Sequence, residues 1–412
     1  MQRFHTLKRW LKICLLGIFL VSHITGISYL EIWGEKEVKD KDLFAKAACL
    51  MDGESGQILF GKNENTPLAN ASTTKILTCI IALEKGDLNQ IITVSERAAK
   101  APKVHLGTKA GQKFVLQDLL YALMLESFND AAIMIAEGVA GTVEKFAEMM
   151  NQKATAIGCR DTYFITPNGL DGEDSFGKHH TTAEDLALMM RYCIDISDKS
   201  ALFLEITGTS SYSFWDTDNR QLYNCSNHNT FLGMMEGAIS GKTGFTGDAG
   251  YCYVGAVKRD GKCLIVSLLA CGWPNNKTYK WSDTRKLMTY GLENFEKREV
   301  FQKGLIDEPI QVEMGQYKEK LFKGSSKVNL VYDKEMEKAS MLIRKGEKIR
   351  CDISLPNKLY APVKAGEKVG YISYYNQNTL LATYPVFAKT YIPCIDYDWC
   401  LKKLFSCFFT GV

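Results

Sequence analysis

Three short strings of residues follow one another along this chain, and they constrain its fold and chemistry more than any other feature. They are Ser72-Thr73-Thr74-Lys75, Ser127-Phe128-Asn129 and Lys242-Thr243-Gly244. Each string is weak evidence alone, because such short patterns recur by chance. Their predicted settings differ, however: the first opens a helix, the second falls between two helices and the third lies in a strand. Together they indicate acyl transfer through a serine nucleophile.

Ser72 and Lys75 lie at the predicted start of a buried helix. Residues three apart share a helix face, with about 5–6 Å between Cβ atoms, so the lysine amine can reach the serine hydroxyl. The segment 71–84 is apolar nearly all round, as in helices buried on every side. Because burial lowers the pKa of a lysine, we expect Lys75 to act as the base that activates Ser72. The alternative is a Ser/Thr-rich helix cap with a lysine that reaches to solvent.

The second string separates two apolar segments that predict helices, 116–126 and 130–138. Side chains two apart do not share a helix face, so Ser127 and Asn129 can point into one cleft only if the helix breaks between them. Serine and asparagine suit such a break because their side chains compete with helical hydrogen bonds. An ordinary polar turn is the alternative.

The third string lies in the glycine-rich segment 237–247, ahead of a predicted β-hairpin. On an edge strand, Lys242 would offer a fixed positive charge to a substrate carboxylate, and Gly244 would let the backbone approach a ligand closely. The backbone N–H of Phe245, paired with that of Ser72, is the expected oxyanion hole. A glycine-rich hairpin with an incidental lysine is the alternative.

With these motifs the sequence resembles the low-molecular-mass penicillin-binding proteins, which are serine-type D-Ala-D-Ala carboxypeptidases of bacterial cell-wall metabolism. The resemblance covers roughly residues 45–390 and departs from the family at Asn70, where proline is usual, and at Ser240-Gly241, where an apolar residue often stands. The other segments that carry it are 48–60, 71–78, 127–132, 150–158, 167–171 and 179–185. The resemblance implies an α/β (α+β) fold: a penicillin-binding/β-lactamase-like catalytic domain with a central antiparallel sheet flanked by helices, followed by a small all-β sandwich domain.

The resemblance also implies a role for each motif residue in removing the terminal D-Ala from peptidoglycan stem peptides. Ser72 is expected to be acylated by the penultimate D-alanine carbonyl, Lys75 to take its proton and Ser127 to relay a proton to the leaving amine. Asn129 is expected to hold the substrate peptide. Lys242 and Thr243 are expected to bind the terminal carboxylate, and β-lactam antibiotics to be covalent inhibitors.

Two other functions remain open from the sequence. A class A-like β-lactamase would share the fold and the motifs, but it needs a Glu-x-x-Leu-Asn loop that the sequence lacks between the second and third motifs. A non-catalytic, penicillin-binding wall scaffold would have no need of the complete set of nucleophile-site residues. Covalent labelling by a penicillin, and the lifetime of the adduct, would separate these functions.

Composition limits the remaining possibilities. A chain of 412 residues is too long for one small hydrophobic core and indicates two domains. With 50 basic and 47 acidic residues the net charge is +3, which gives no electrostatic basis for binding nucleic acid. No metal-spaced Cys/His cluster occurs, so we expect neither a metal nor a cofactor. His179 and His180 precede a capping-box pattern and are interpreted as structural.

The 13 cysteines are an odd number and show no regular disulfide spacing. Cys79, Cys252 and Cys263 fall within apolar patterns, where free cysteine behaves as a small hydrophobic residue. A strongly oxidising compartment is therefore not favoured by the sequence.

The two ends of the chain indicate contact with a membrane surface. Residues 1–40 combine early basic residues with an apolar run, which predicts a signal peptide or an N-terminal membrane anchor, and hence an exported protein at the extracytoplasmic face of the bacterial cell membrane. We expect the catalytic domain over 41–298, the β-sandwich over 305–390 and an amphipathic tail over 391–412. In the tail, one helical face would carry Leu401, Leu404, Phe405 and Phe408. That face would lie in a membrane interface, or alternatively pack on the β-domain.

Overall fold

The computed structural model describes residues 37–218, 220–301, 304–318, 324–333, 336, 340–376 and 379–410. The signal peptide or anchor that the sequence predicts for residues 1–40 falls, up to residue 36, outside the described residues. Among those that are described, no helix combines the length and the apolar character needed to cross a membrane.

The central sheet has five antiparallel strands: β1 (Ala47–Asp52), β2 (Ile58–Lys62), β9 (Ala238–Thr246), β10 (Gly250–Arg259) and β11 (Lys262–Leu269). Their spatial order is β2-β1-β11-β10-β9. Strand β11 is buried along its whole length, as its continuous apolar sequence predicts for a strand covered on both faces. Strand β9 forms one edge of the sheet, where the sequence placed Lys242.

Helices pack against the sheet and against one another, and some begin at a capping side chain. They are α1 (Lys75–Lys85), α2 (Glu96–Ala99), α3 (Leu116–Tyr121), α4 (Asn129–Ala140), α5 (Val143–Ile157), α6 (Ala183–Arg191), α7 (Ser200–Gly208) and α8 (Tyr279–Asn294). Thr142 caps α5 and Thr182 caps α6, each by accepting a backbone N–H with its side chain. Helix α1 lies within the principal core, with its residues from Lys75 to Leu83 buried.

Three small hairpins complete the first part of the chain. They pair β3 (Ile91–Thr93) with β4 (Lys113–Val115), β5 (Glu173–Asp174) with β6 (Gly177–Lys178), and β7 (Ser211–Trp215) with β8 (Leu222–Ser226).

The remainder of the chain is rich in β-strands, as predicted. Its strands are β12 (Phe295–Glu299), β13 (Ile310–Glu313), β14 (Ser326–Val328), β15 (Leu330–Tyr332), β16 (Ser340–Arg344), β17 (Ile349–Ser354), β18 (Lys358–Tyr360), β19 (Lys368–Asn376) and β20 (Thr379–Ala388). A three-stranded sheet β14-β13-β18 and a four-stranded sheet β15-β20-β19-β17 contribute to one separate buried cluster. Strand β12 leaves α8 directly and pairs with β16, so the β-rich pairing begins at Phe295.

Cys79, Cys252 and Cys263 are free thiols and are buried, as predicted. Burial raises the pKa of the Cys252 thiol to about 12 and that of Cys263 to about 11. These thiols are protonated at neutral pH and act as apolar packing groups.

Candidate active site

Ser72 lies in a single 3-10 turn, Ala71–Thr74, that opens directly into α1. Asn70 precedes the turn and stabilises it from inside: its Nδ2 donates to Thr74 Oγ1 at 2.9 Å and to Thr73 Oγ1 at 3.2 Å. The Thr73 hydroxyl in turn donates to the Asn70 carbonyl at 2.6 Å. Asparagine therefore supplies, by side-chain hydrogen bonds, the rigidity that the usual proline would give through its ring.

Lys75 is completely buried, and its amine lies at the centre of the site. Its Nζ donates to Ser72 Oγ at 2.8 Å, to Asn129 Oδ1 at 3.0 Å and to the Asn168 carbonyl at 2.6 Å. Burial, reinforced by the charge of Lys242, holds the pKa of the Lys75 ammonium well below its usual range. The predicted pairing of this serine and this lysine is thus present in the folded chain.

The second motif lies where the helix breaks, as its spacing requires. The chain leaves α3 through a π-helical turn, Ala122–Glu126, and Ser127 then adopts a left-handed conformation with φ 66°. Asn129 begins α4 and turns inward, where it accepts from Lys75 and donates from Nδ2 to the Pro102 carbonyl at 3.1 Å. Asn129 therefore positions the lysine, a role that the sequence did not predict. Ser127 Oγ is buried and has no hydrogen-bond partner within the described part of the chain.

Lys242 occupies the strand wall of the site and is nearly as buried as Lys75, with a relative exposure of 2%. Burial lowers the pKa of Lys242 to about 7, while the charge of Glu126 opposes this lowering. The strand runs unbroken through Ser240-Gly241. The small residue at 241 is required there, because a Cβ would lie 2.4 Å from the Tyr253 hydroxyl. Thr243 follows Lys242 and is partly exposed.

Gly244 brings β9 against the nucleophile turn. A Cβ at this position would lie 3.0 Å from both the Asn70 carbonyl oxygen and the Ser72 backbone nitrogen. That close approach brings the backbone that follows Gly244 next to Ser72, as an oxyanion hole shared by Ser72 and Phe245 requires. The Phe245 side chain is 43% exposed and packs on the Tyr251 ring with centroids 4.7 Å apart.

The loop at 167–171 also lines the site, although the sequence predicted no role for it. The carbonyl of its Asn168 accepts from Lys75, and from Ser72 Oγ at 3.4 Å. Thr246 Oγ1, just after the third motif, donates to Asp171 at 3.0 Å. The Pro-Asn-Gly turn signal could have located the loop, but a backbone carbonyl leaves no mark on the sequence that would identify it as a ligand of Lys75.

His179 supports the nucleophile turn from behind, in agreement with its structural interpretation. Its Nδ1 accepts the Ile165 N–H at 3.1 Å, so its Nε2 carries the proton and donates to Thr74 Oγ1 at 3.0 Å. Burial lowers the pKa of His179 to about 3, which keeps the ring neutral. Among the described residues no group of three or more His, Cys, Asp or Glu side chains is placed to hold a metal ion.

Gly169 is the tightest contact between the loop and the nucleophile turn, and it gives a stability prediction. It has φ +80°, and a Cβ would lie 1.9 Å from the Ala71 carbonyl oxygen. We expect Gly169→Ala to lower the free energy of unfolding by more than about 2 kcal/mol, from left-handed strain plus overpacking. Denaturant unfolding measures this loss.

The matched control is Gly141→Ala, at a glycine with φ +83° and open space around its Cβ position. It should cost only the conformational strain, about 1–2 kcal/mol. Equal losses for the two variants would contradict the proposed close contact.

Comparisons with known proteins identify the family of the chain. The family model described as D-alanyl-D-alanine carboxypeptidase matches residues 34–271, and that of the C-terminal domain of penicillin-binding protein 5 matches residues 295–393. The chain is 26% identical over 392 residues to the D-alanyl-D-alanine carboxypeptidase DacF of Bacillus subtilis, covering 93% of this chain and 94% of that protein.

Solved structures share the same arrangement. Penicillin-binding protein 5 of Haemophilus influenzae covers 87% of this chain and all of its own, with a TM-score of 0.69 at 23% identity, and so shows the fold. Penicillin-binding protein D2 of Listeria monocytogenes, in an ampicillin-bound form, covers 61% of this chain and 98% of its own, with a TM-score of 0.52 at 28% identity. The predicted fold class and resemblance are confirmed: the chain belongs to the D-alanyl-D-alanine carboxypeptidase family of serine peptidases.

Proposed function

We propose that this chain removes the terminal D-alanine from peptidoglycan stem peptides through an acyl-enzyme on Ser72, and that β-lactams acylate the same serine. One observation carries the assignment: the Lys75 amine is fully buried, bonded to three oxygens that bear no formal charge, and 2.8 Å from Ser72 Oγ. In its neutral form the amine has two N–H bonds, for the Asn129 and Asn168 oxygens, and a lone pair that can accept the Ser72 hydroxyl proton, which makes it a base in contact with a nucleophile.

In the acylation step, Lys75 Nζ takes the proton of Ser72 while Oγ bonds to the carbonyl carbon of the penultimate D-alanine. The C–N bond to the terminal D-alanine then breaks, and its nitrogen needs a proton to leave. Ser127 is the proposed relay for that proton from Lys75, which is supported by the unpartnered Ser127 Oγ among the described atoms of the cleft. Water subsequently hydrolyses the ester and restores Ser72.

The negative oxygen that forms during this step needs donors fixed in advance. The backbone N–H groups of Ser72 and Phe245 are the proposed pair, and the contact at Gly244 keeps their two segments together. The first turn of α1 adds the favourable end of its dipole. Because these donors are backbone groups in packed segments, they cost no reorganisation when charge develops.

Carboxypeptidase activity is favoured over the two other functions. The match of residues 295–393 to the C-terminal domain of penicillin-binding protein 5 favours a wall peptidase over a class A-like β-lactamase. A non-catalytic scaffold would not need Lys75 buried beside Ser72, since burying an amine without a charged partner is destabilising. DacF, which this chain matches over nearly its full length, is itself a D-alanyl-D-alanine carboxypeptidase.

The nucleophile assignment predicts loss of covalent labelling. Ser72→Ala should abolish the adduct with a penicillin, because no other residue is proposed to be acylated, and Lys75→Ala should slow labelling by at least about 100-fold, since Ser72 loses its base. Intact-mass spectrometry after incubation with a fluorescent penicillin measures both.

Thr73→Ala is a control in the same turn that spares the nucleophile and the base, and it should still be labelled. A penicillin adduct of undiminished yield on Ser72→Ala would overturn the assignment. A wild-type adduct that hydrolyses within seconds would instead favour the β-lactamase.

Recognition of the terminal carboxylate is proposed for Lys242, with a hydrogen bond from Thr243. The ammonium must be charged for this role, and burial puts its pKa at about 7, so binding should weaken as the pH rises through that value. Lys75 must be neutral, so acylation should slow as the pH falls through its lowered pKa. The pH profile of kcat/KM should therefore be bell-shaped.

Lys242→Gln should remove the alkaline limb of that profile and raise KM for a D-Ala-D-Ala peptide by at least about tenfold, equivalent to about 1.4 kcal/mol of lost charge-assisted binding. Steady-state kinetics between pH 5 and pH 10 give the measurement. The C-terminally amidated peptide is the matched substrate control. Equal wild-type rates on the free acid and the amide would contradict the role of Lys242.

Attachment to the membrane surface, outside the cytoplasm, is the proposed location. The tail helix α9 (Tyr397–Thr410) leaves its predicted apolar face open, with Leu404 47% and Phe408 85% exposed. Trp399 instead packs on Tyr317, with ring centroids 5.0 Å apart, which anchors the helix start to the β-rich domain. An apolar face open to solvent on a helix too short to span a bilayer supports burial in the interface.

The tail proposal predicts binding to anionic vesicles. In a chain that begins at residue 41, Leu404→Gln with Phe408→Gln should reduce co-sedimentation with phosphatidylglycerol-containing liposomes by at least about tenfold, because apolar burial drives interfacial binding. The control is Ser406→Gln, on the opposite face. If the double variant sediments as the control does, the face packs elsewhere and the tail is not an anchor.

A further inference from the structure

The segment 226–229, which follows β8, is hydrogen-bonded to the turn that carries Ser127. The Glu126 carboxylate accepts two hydrogen bonds from this segment. Its Oε1 accepts the Ser226 N–H at 2.7 Å, and its Oε2 accepts from His228 Nε2 at 2.6 Å. The His228 N–H also donates to the Leu125 carbonyl at 3.3 Å. The Glu126 side chain is 18% exposed, whereas that of His228 is 62% exposed.

The same segment is hydrogen-bonded, on its other side, to strand β10, which pairs with the strand that carries Lys242. Asn229 Oδ1 accepts the Tyr253 hydroxyl at 3.0 Å, and that hydroxyl lies over Gly241, next to the lysine. Asn227 holds the segment in shape: its Oδ1 accepts the Asn229 N–H at 2.9 Å and its Nδ2 donates to the Thr207 carbonyl at 2.9 Å. Segment 226–229 thus links the turn of the second motif to the strand that pairs with the third motif.

We propose that Glu126 is a positioning residue for the proposed carboxypeptidase reaction. Its carboxylate fixes the 226–229 segment against the Ser127 turn, which sets the distance between the proton relay and the carboxylate-binding strand. It also places a negative charge near Lys242, which keeps that lysine charged for the incoming carboxylate. Glu126 itself touches neither the nucleophile nor the base.

The electrostatic part of this role follows from the groups around Lys242. Lys75 faces it from α1, Glu126 from the Ser127 turn with His228 bonded to it, and Tyr253 belongs to the neighbouring strand β10. Burial disfavours charge on Lys242, and the Glu126 carboxylate acts in the opposite direction. Removing that carboxylate should lower the pKa of Lys242 further.

The inference rests on the proposed function, and two variants separate its parts. Glu126→Gln keeps an acceptor for the Ser226 N–H but removes the charge, whereas Glu126→Ala removes both. The control is Glu84→Gln at the far end of α1, where a similarly buried carboxylate pairs with Lys153 at 2.6 Å away from the cleft. Each full-length variant is assayed for kcat and KM on a D-Ala-D-Ala peptide across the pH range.

For Glu126→Gln we expect the alkaline limb of the kcat/KM profile to move to lower pH by about half a unit. On that limb kcat/KM should fall about threefold, through a rise in KM. Glu126→Ala should show the same shift and also a fall in kcat of about tenfold or more, because the relay loses its fixed geometry. Glu84→Gln should lower thermal stability and leave the profile unmoved.

Profiles of both Glu126 variants that superimpose on the wild type would overturn the inference, as would an equal shift in Glu84→Gln. A wild type that forms no penicillin adduct and cleaves no peptide would instead overturn the proposed function itself. Thermal melts of every variant distinguish a lost fold from a lost position.

Discussion

The site depends on one destabilising arrangement, the burial of the Lys75 amine with acceptors that carry no formal charge. A hydroxyl, an amide oxygen and a backbone carbonyl surround it, each from a different part of the chain: Ser72, Asn129 and Asn168. These acceptors do not supply the opposite charge that a buried ammonium needs, so the neutral amine is favoured. The surrounding core must be rigid enough to maintain this arrangement, and α1 lies within it, buried over most of its length.

Rigidity around the lysine comes from backbone segments packed at distances that only glycine allows. Gly169 brings the 167–171 loop against the nucleophile turn, and Gly244 brings β9 against the same turn. The two contacts fix Ser72 between a carbonyl that holds Lys75 and a strand that supplies the proposed oxyanion hole. Because dense packing leaves no room for a shift, a small change at either glycine should displace Ser72.

The sequence predicted the parts of this site that depend on local spacing. The i, i+3 relation of Ser72 and Lys75, the break at Ser127 and the edge position of Lys242 all follow from periodicity and turn chemistry. It could not predict the Asn168 carbonyl, because any residue offers one, nor that Asn129 would bind Lys75. The fold class came from the resemblance rather than from periodicity, and the start of β12 at Phe295 was missed because its pairing with β16 is non-local.

The two buried lysines show why the surroundings matter more than residue type. Lys75 and Lys242 are almost equally buried, yet the proposed chemistry needs the first neutral and the second charged. Burial lowers the pKa of both lysines, and the charge of Lys242 lowers that of Lys75 further; Asp130 opposes the lowering at Lys75, and Glu126 opposes it at Lys242. Glu126 is the charge that favours Lys242. The 226–229 segment is hydrogen-bonded to Glu126, so the proposed charge state of Lys242 depends on a segment that does not contain it.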